Sequence, residues 1–469
     1  MNKETIKSLG EKLRNKSATV RELVDSSLLT ISDKKDINAV VGIYSKDFLN
    51  TQIKKAEEMF ENNIATELTG IPIIIKDNIL VKGEIASAGS KILENYKATY
   101  DATVIKKLKE AGAILIGRAN MDEFAMGSST ENSFYGVTKN PSDKTRVAGG
   151  SSGGSSAVVA YGGVTISLGT DTGGSIRQPA SFCGVVGLKT TYGMVSRYGA
   201  VAMGSSLDQI GPFANNVDDI ETVFNVVTGC DALDSTSLPE NLRNKKTNLK
   251  KKIGVPVSFI NREGIDKEVL ENFNASLEKM KSAGYSIVDI NMDHLEKALA
   301  VYYILMPAEV SSNLARYDGI RYGLSVAGET SIESYFNSRT EGFGKEVRRR
   351  ILLGTYVLSS GYYDSYYNKA NMVREMLKKE FAKVFESVDV IATPTSPVPA
   401  FKIGEKSKDP LSMYLADIFT VPVNIVGVPA ISIPSGKTKD GLPLGLQFVA
   451  PHYEENTLFT VSRDFEKTR

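Results

Sequence analysis

The stretch from residue 146 to residue 175, RVAGGSSGGSSAVVAYGGVTISLGTDTGGS, decides the fold of this chain. It contains two loops rich in glycine and serine, at 149–154 and 173–175, with an apolar run at 157–161 and a β-like run at 164–168 between them. Glycine-serine composition alone is typical of a flexible linker, but a linker has no reason to carry such apolar segments. The pattern predicts loop, buried helix, strand and loop. Glycine then lets the backbone approach a ligand closely, and serine supplies hydroxyl groups.

The composition is that of an ordinary globular protein and excludes several classes of function. The 469 residues are 42% hydrophobic and 24% charged, which predicts either two domains or one large elaborated one. A net charge of +1 gives no strong electrostatic field that would attract nucleic acid. No apolar run is long enough for a membrane span, and the start of the chain, MNKETIKSLGEKL, predicts a polar helix rather than a signal peptide. Two cysteines form no disulfide framework, which favours a cytoplasmic location.

Histidine is scarce, and this restricts the chemistry. The chain has two histidines, His294 and His452, and neither is near the glycine-serine loops in sequence. Their number excludes a histidine-rich metal site, and we predict no metal site. A Ser-His-Asp triad would need the fold to bring one of them to the loops. Cys183 could be a thiol nucleophile, although a buried inert cysteine is the commoner case. If the enzyme acts on acyl groups, its base is therefore expected not to be histidine.

The run GIPIIIKDN at 70–78 predicts a fully buried strand that ends at Lys76. A lysine at this place has two interpretations. It is either a solvated charge at the end of the strand, or a desolvated amine whose pKa falls toward neutrality and which acts as a base. The local sequence leaves both interpretations open.

Helical and strand patterns alternate up to residue 230 and predict an α/β fold whose mixed or parallel sheet is covered by helices. A helix is predicted to begin at Asn120 and to run into the hydroxyl-rich loop 127–130. A long helical region follows at 295–385, and strands return at 388–393, 430–434 and 444–449. The glycine-rich core lacks the spacing of a phosphate-binding loop, so a nucleotide site there is unsupported.

Three separated segments resemble the amidase signature family. They are Lys76 after its apolar strand, the run GGSSGGS that contains Ser151, and the run GTDTGGSIR that contains Ser175. Ser151 follows Lys76 by 75 residues and Ser175 follows Ser151 by 24, as the family pattern requires. The resemblance implies the amidase signature fold, with a mixed, mostly parallel sheet sandwiched between helix layers. It also implies one large domain, 1–469, with a core signature region at about 66–230 and a helical insertion at about 295–385.

The family's catalytic roles would belong to three residues of this sequence. Ser175 would be the nucleophile, Lys76 the neutral base, and Ser151 the relay between them, held by a cis peptide bond after Gly150. Serine is a poor nucleophile until a neighbour takes its proton, and a buried lysine with a pKa of about 7 is able to do so. The resemblance further implies an oxyanion hole of backbone N–H groups, those of Thr172, Gly173, Gly174 and Ser175.

Within the family, the segments 121–127, 312–321 and 417–420 are similar to the glutaminase subunits of tRNA-dependent amidotransferases. This similarity implies that the substrate is glutamine. Arg349 or its neighbour Arg350 would bind the α-carboxylate, because a guanidinium fork matches a carboxylate. Asp417 would bind the α-ammonium group, and Tyr303, or Tyr302 beside it, would line the pocket.

The same similarity implies a reaction shared between subunits. Ammonia released from glutamine would convert Glu-tRNA(Gln) to Gln-tRNA(Gln), with ATP and magnesium bound in the partner and no cofactor in this chain. The chain would form a heterotrimer with amidotransferase subunits B and C. Two alternatives remain at this stage. One is a stand-alone amidase that hydrolyses small or acyl amides, and the other is a non-catalytic assembly subunit that keeps the fold.

Overall fold

A single eleven-stranded sheet runs through the described parts of the chain, residues 4–242, 249–406 and 410–469, in the computed structural model. Its strands are β1 Val40–Ile43, β2 Pro72–Lys76, β3 Ile114–Ala119, β4 Ile166–Asp171, β5 Val186–Lys189, β6 Gln209–Ala214, β7 Lys252–Val255, β8 Ser286–Asp289, β9 Val390–Pro394, β10 Ala430–Lys437 and β11 Pro443–Val449.

The same described residues form sixteen α-helices. They are α1 Ile6–Arg14, α2 Val20–Asp33, α3 Lys46–Glu61, α4 Thr103–Glu110, α5 Gly153–Ala160, α6 Arg177–Cys183, α7 Val217–Val227, α8 Val257–Ile260, α9 Lys267–Ser282, α10 Ala298–Asn313, α11 Ser331–Gly342, α12 Lys345–Val357, α13 Lys369–Phe385, α14 Pro410–Leu415, α15 Val421–Val426 and α16 Glu455–Glu466.

The order of strands across the sheet is β1-β3-β2-β4-β6-β5-β10-β11-β9-β7-β8. Neighbours are parallel from β3 through β2 to β4, and again from β9 through β7 to β8. The pairs between β4 and β9, and the pair of β1 with β3, are antiparallel. The α/β class and the mixed sheet are confirmed. The parallel pairs form two separate groups, and six of the ten neighbouring pairs among the described strands are antiparallel, which corrects the expectation of a mostly parallel sheet. Short connections, such as 438–442 between β10 and β11, permit only antiparallel neighbours.

Helices cover both faces of the sheet around the glycine-serine loops. Every residue of β2, β3 and β4 is buried, and because side chains alternate between the two faces of a strand, neither face meets solvent. The helix α5 is buried over most of its length and packs against β4, β2 and the next helix, α6. The predicted order of loop, buried helix, strand and loop within 146–175 is therefore what the structure contains.

The predicted helix at Asn120 does not form. Between residues 120 and 132 the backbone makes only a short 3₁₀ turn, and Phe124 and Ala125 have φ angles of 49° and 61°. Asp122 explains this, because its carboxylate accepts hydrogen bonds from the N–H groups of Thr130 and Asn132 and folds the segment back on itself.

The region 295–385 contains α10, α11, α12 and α13, and α10 packs against α12, α13 and α15. Buried residues of α10, among them Tyr302 and Leu305, join the same core as the strands β9, β10 and β11. This packing supports our proposal that residues 1–469 form one domain and that 295–385 is a helical insertion into it. None of the helices in the described ranges is long and apolar enough to cross a membrane.

Candidate functional site

The loop that carries Ser175 joins β4 to α6 and is organised by a buried ion pair. Asp171, the last residue of β4, accepts hydrogen bonds from the N–H groups of Gly174 at 2.8 Å and Ile176 at 3.1 Å. The Arg177 guanidinium binds both oxygens of Asp171, and both side chains are fully buried. Arg177 holds the pKa of Asp171 at about 2 against the opposing effect of burial. The loop is thus fixed around one carboxylate.

Close packing requires glycine at two positions of this loop. Gly174 has a φ of 135°, and a Cβ there would lie 2.2 Å from Thr420 Oγ1. A Cβ on Gly173 would lie 2.8 Å from the ring of Tyr302. The glycines therefore let the backbone beside Ser175 fit between α10 and Thr420.

Three hydroxyl groups surround the amine of Lys76. Its Nζ lies 2.8 Å from Ser151 Oγ, 2.7 Å from Ser152 Oγ and 2.8 Å from Thr170 Oγ1. Lys76 and both serines have no exposed surface. Lys76 is therefore desolvated and is not a solvated charge at the end of the strand.

Burial lowers the pKa of Lys76 to about 7, and the carboxylates of Asp122, Asp171 and Asp208 oppose this effect. Desolvation prevails because none of these carboxylates forms an ion pair with the amine. Near neutral pH the amine is therefore partly unprotonated, as a general base must be.

The two glycine-serine loops meet beside Lys76. The peptide bond between Gly150 and Ser151 is cis, as the family resemblance implies, and the Gly150 N–H donates to Gln178 Oε1 at 3.0 Å. The Ser152 N–H donates to the carbonyl oxygen of Ser175 at 3.3 Å, which ties the loops together. Within the described residues, the hydroxyls of Ser151 and Ser175 do not hydrogen-bond to each other. The serines share one site, but their side chains are not connected in this structure.

The four candidate oxyanion donors differ in their partners. The Gly174 N–H already donates to Asp171, which removes it from the expected set in this structure. In the part of the chain that the structure describes, the N–H groups of Thr172, Gly173 and Ser175 donate no hydrogen bond. These three remain available to a substrate oxygen.

A basic cluster at α12 holds the predicted carboxylate ligands. Glu346 accepts hydrogen bonds from Arg349 at 2.8 and 2.6 Å and from Arg350 at 2.7 Å. Arg349 also donates to the Tyr414 hydroxyl and remains partly exposed, whereas Arg350 is buried. Two guanidinium groups thus share one carboxylate, and the cluster keeps one positive charge for a substrate anion.

Asp417 and the two tyrosines lie close to this cluster. Ser128 Oγ donates a hydrogen bond to Asp417, and burial raises the pKa of this carboxyl to about 7 while Arg350 opposes the shift. Tyr302 lies against Gly173 in the loop that carries Ser175. Tyr303 instead stacks on Tyr414 with ring centroids 3.6 Å apart. Of the adjacent candidates, it is Tyr302 that contacts the loop.

Sequence reasoning missed several residues that shape the site. Ser152 and Thr170 contact the amine of Lys76 as closely as Ser151 does. Both lie in the stretch that decides the fold, so the number of hydroxyls there was the available signal. Thr420 binds the carbonyl oxygen of Gly173 from 247 residues away, and no local pattern marks it.

A family model described as Amidase matches residues 22–459. This chain belongs to the amidase family. The A subunit of the glutamyl-tRNA(Gln) amidotransferase of Thermoanaerobacter pseudethanolicus is 52% identical to this amidase over 471 residues, with 99% of this chain and 96% of that protein aligned. The protein of the same name from Geobacillus thermodenitrificans is 48% identical over 470 residues, with the same shares aligned.

Solved structures agree with this family. The crystal structure of the same A subunit from Thermotoga maritima matches this amidase with a TM-score of 0.78 at 40% identity, over 96% of this chain and 94% of that one. A structure described as an amidase matches with a TM-score of 0.83 at 29% identity over 99% of both chains. The predicted family and the predicted enzyme that acts on amide bonds are confirmed, and the relatives favour an amidotransferase component over a stand-alone amidase.

Charged side chains near the site in this amidase bind other groups of the protein. Among the residues with a described placement, no group of three or more His, Cys, Asp or Glu side chains is arranged to hold a metal ion. The acidic groups near Lys76 instead bind backbone N–H groups, arginine or threonine, as Asp122, Asp171 and Asp208 do.

Proposed function

We propose that this chain is the glutamine-hydrolysing subunit of a glutamyl-tRNA(Gln) amidotransferase. The observation that carries the proposal is the contact of 2.8 Å between Ser151 Oγ and a fully buried Lys76 amine whose pKa is about 7. It supports a base that needs no histidine. The names of the relatives, which are close to half identical over almost the whole chain, support glutamine and tRNA as the substrates of the assembly.

In the proposed reaction, Ser175 Oγ attacks the side-chain amide carbon of glutamine. Its proton passes to Ser151 Oγ as the proton of Ser151 passes to neutral Lys76, and a C–O bond forms. When the C–N bond breaks, the proton returns along the same route and ammonia leaves. Water then attacks the acyl-enzyme, using the same base, and releases glutamate.

Two features of this mechanism follow from the hydrogen bonds of the site. The Ser175 hydroxyl must turn to Ser151 when substrate binds, since catalytic hydrogen bonds often close only in the complex. The proposed oxyanion hole consists of the N–H groups of Thr172, Gly173 and Ser175. The Gly174 N–H instead holds Asp171, although the resemblance counted it as a donor.

We assign the polar ends of glutamine by charge. The α-carboxylate binds Arg349 or Arg350, whose cluster with Glu346 keeps one uncompensated positive charge. The α-ammonium binds Asp417, and this cation favours the ionised form of a carboxyl that burial otherwise keeps partly protonated. Tyr302 lines the pocket because it already lies against Gly173.

The proposed role extends to an assembly. The chain acts in the cytoplasm within a heterotrimer, together with subunits B and C, and the ammonia reacts with misacylated Glu-tRNA(Gln). We place ATP and magnesium in the partner, and no cofactor in this chain. The relatives are each named as one lettered subunit of an amidotransferase, which supports the existence of such partners.

Glutamine hydrolysis by the purified assembly tests the proposal. We expect ammonia and glutamate to form in equal amounts, and we expect Ser175→Ala to abolish both, while Ser286→Ala at an exposed position on β8 retains the parent rate. A glutamine-like diazo-ketone should label Ser175, as mapped by mass spectrometry. Hydrolysis of simple aliphatic amides faster than glutamine would instead support a stand-alone amidase. Failure to label Ser175 would support a non-catalytic subunit.

A further inference from the structure

A small polar cavity lies next to Thr170, one hydrogen bond from the amine of Lys76. Its polar lining consists of Asn78, Thr170, Thr172, Arg197, Asp208 and Gln209, and the remaining lining is apolar or methionine. It leaves a volume of about 10 Å³ for a water-sized molecule. This is the size that holds a single water.

Three buried polar atoms of the lining residues have no hydrogen-bond partner among the described residues. They are Asn78 Oδ1, Gln209 Nε2 and Arg197 Nε. Asn78 and Gln209 are only 2% and 1% exposed, so solvent does not satisfy them. An unpaired buried polar atom is costly, and three such atoms on residues that line one cavity indicate a bound molecule. A water molecule can donate to Asn78 Oδ1 and accept from Gln209 Nε2, which leaves one lone pair for a further donor.

The hydrogen bonds around Lys76 give this cavity a role in the reaction. Ser152 Oγ donates its proton to the carbonyl oxygen of Thr170 at 3.0 Å, so toward Lys76 it is only an acceptor. Thr170 Oγ1 accepts from Asn78 Nδ2 at 3.1 Å. The Thr170 proton then has two possible directions, toward the Lys76 amine or into the cavity.

The direction of this proton decides where the lone pair of neutral Lys76 points. If Thr170 donates to the amine, it occupies the lone pair and Ser151 faces an N–H group. If Thr170 donates into the cavity, the amine gives its two protons to Ser152 and Thr170. The lone pair is then left for Ser151, as the proposed base requires.

We propose that Asn78 Oδ1 and Gln209 Nε2 bind one water molecule, which also accepts the hydrogen bond of the Thr170 hydroxyl and so keeps the lone pair of neutral Lys76 on Ser151. Thr170, Asn78 and Gln209 are then positioning residues, since they act on the substrate only through Lys76. This inference rests on the proposed function, because it presumes that Lys76 is the base.

The first test replaces the hydroxyl of Thr170 in the purified assembly. Thr170→Val keeps the shape, and we expect kcat for glutamine to fall about 100-fold with KM changed less than about twofold. The acidic limb of the kcat profile should move to lower pH, because the Lys76 ammonium loses an acceptor while Asp122, Asp171 and Asp208 still face it. Thr170→Ser should restore kcat to within about fivefold of the parent. A lower rate with an unmoved limb would mean a merely structural role.

The second test removes one side chain that holds the water. Gln209→Met keeps the length of the side chain, and we expect kcat to fall about tenfold, since one hydrogen bond to the water is lost. Gln52→Met is the matched control, because the Gln52 amide also binds a strand, at Leu115, but lies in α3 away from Lys76. It should keep the kcat profile of the parent.

The third test is direct. A crystal structure of the assembly at a resolution that shows ordered water should contain a density peak about 2.7–3.2 Å from Asn78 Oδ1 and Thr170 Oγ1. No peak there, or a Gln209→Met variant with the parent's kcat and pH profile, overturns the inference. If the parent assembly released no ammonia from glutamine, the proposed function would fail as well, whereas the inference fails alone when the parent is active. The two failures are therefore distinguishable.

Discussion

Two buried lysines end two strands of the same sheet, Lys76 in β2 and Lys189 in β5. Both have no exposed surface, and burial lowers the pKa of each to about 7. Their partners differ. The Lys76 amine meets three hydroxyls besides the more distant carbonyl oxygen of Thr170 at 3.4 Å, whereas the Lys189 amine donates to the carbonyl oxygen of Thr190 at 2.8 Å and, among the described residues, to no hydroxyl. A carbonyl oxygen has no proton to give, so only Lys76 is placed to act as a base.

A lowered pKa makes an amine available as a base but does not make it catalytic. Perturbed pKa values are common at functional sites, but structural positions perturb them as well. Lys189 lies near Glu455, which accepts the Thr191 N–H at 2.7 Å and belongs to α16. Its surroundings are those of a structural contact between β5 and the C-terminal helix.

The largest expected effect separates the two lysines by activity. We expect Lys76→Met to reduce glutamine hydrolysis about 1000-fold or more at neutral pH, because no other base contacts Ser151 among the described residues. Lys189→Met should remain within about tenfold of the parent. Initial rates of ammonia release by the assembly measure both. Equal losses in the two variants would remove the distinction that we draw.

Two buried carboxyl groups, those of Asp417 and Asp219, also differ in their expected role, and the KM for glutamine measures this difference. Burial raises the pKa of Asp417 to about 7 and that of Asp219 to about 6. Asp219 accepts hydrogen bonds from the Ile6 N–H and from the side-chain amide of Asn216, away from the site. We expect Asp417→Asn to raise KM for glutamine about 100-fold, since the α-ammonium loses its counter-charge, and to change kcat less.

Asp219→Asn provides the control for this prediction. It should leave KM within about twofold of the parent and act on stability alone. Steady-state kinetics of the two variants decide the matter. An unchanged KM in Asp417→Asn would place the α-ammonium elsewhere.

The pH dependence of kcat gives a smaller but specific effect. The amine must be neutral to accept a proton, and below its pKa of about 7 the neutral fraction falls about tenfold per pH unit. At saturating glutamine, kcat should therefore decline below about pH 7, in the parent and in Lys189→Met alike. If the acidic limb of the kcat–pH profile shifts in Lys189→Met, the protonation of Lys189 is coupled to that of the base.

Stability gives the smallest effect, and here the two lysines should behave alike. Their folded pKa of about 7 lies below the value of about 10.4 for an unfolded lysine, so folding is penalised below pH 7 and the penalty fades as pH rises toward 10. We expect Lys76→Met and Lys189→Met each to raise the free energy of unfolding by about 1–2 kcal/mol at pH 6, and by less at pH 9. Denaturant titrations at both pH values measure this. If only one of the two variants were stabilised, the two lysines would not share the same cost of burying a charged amine.

Local sequence predicted much of the fold because regular elements are governed by near neighbours. The isoleucine run of β2 and the apolar run of α5 lie where their patterns place them. The helix expected from Asn120 was wrong because a single carboxylate, Asp122, captures two later N–H groups. The mainly parallel sheet was only partly right, since strand direction depends on how distant segments meet.

The candidate site, like the fold, was predicted only in part from the sequence. Lys76, Ser151 and Ser175 were recognised from spacing, and the structure brings the first two into contact. The sequence could not show that Tyr302 rather than Tyr303 contacts the loop of Ser175, or that Asp171 binds the Gly174 N–H. Both contacts depend on side-chain positions in the folded chain.

By itself, the sequence determined the family, the elements around the glycine-serine loops and the absence of a histidine-rich site, because motif spacing and residue counts need no coordinates. Only the tertiary structure decided that Lys76 is desolvated while hydroxyls surround its amine, and that the equally buried Lys189 meets a carbonyl oxygen instead. The physical reason is that the protonation of an amine and the partner it meets are set by groups far apart in the chain. Those groups become neighbours only when the sheet has formed and excluded water.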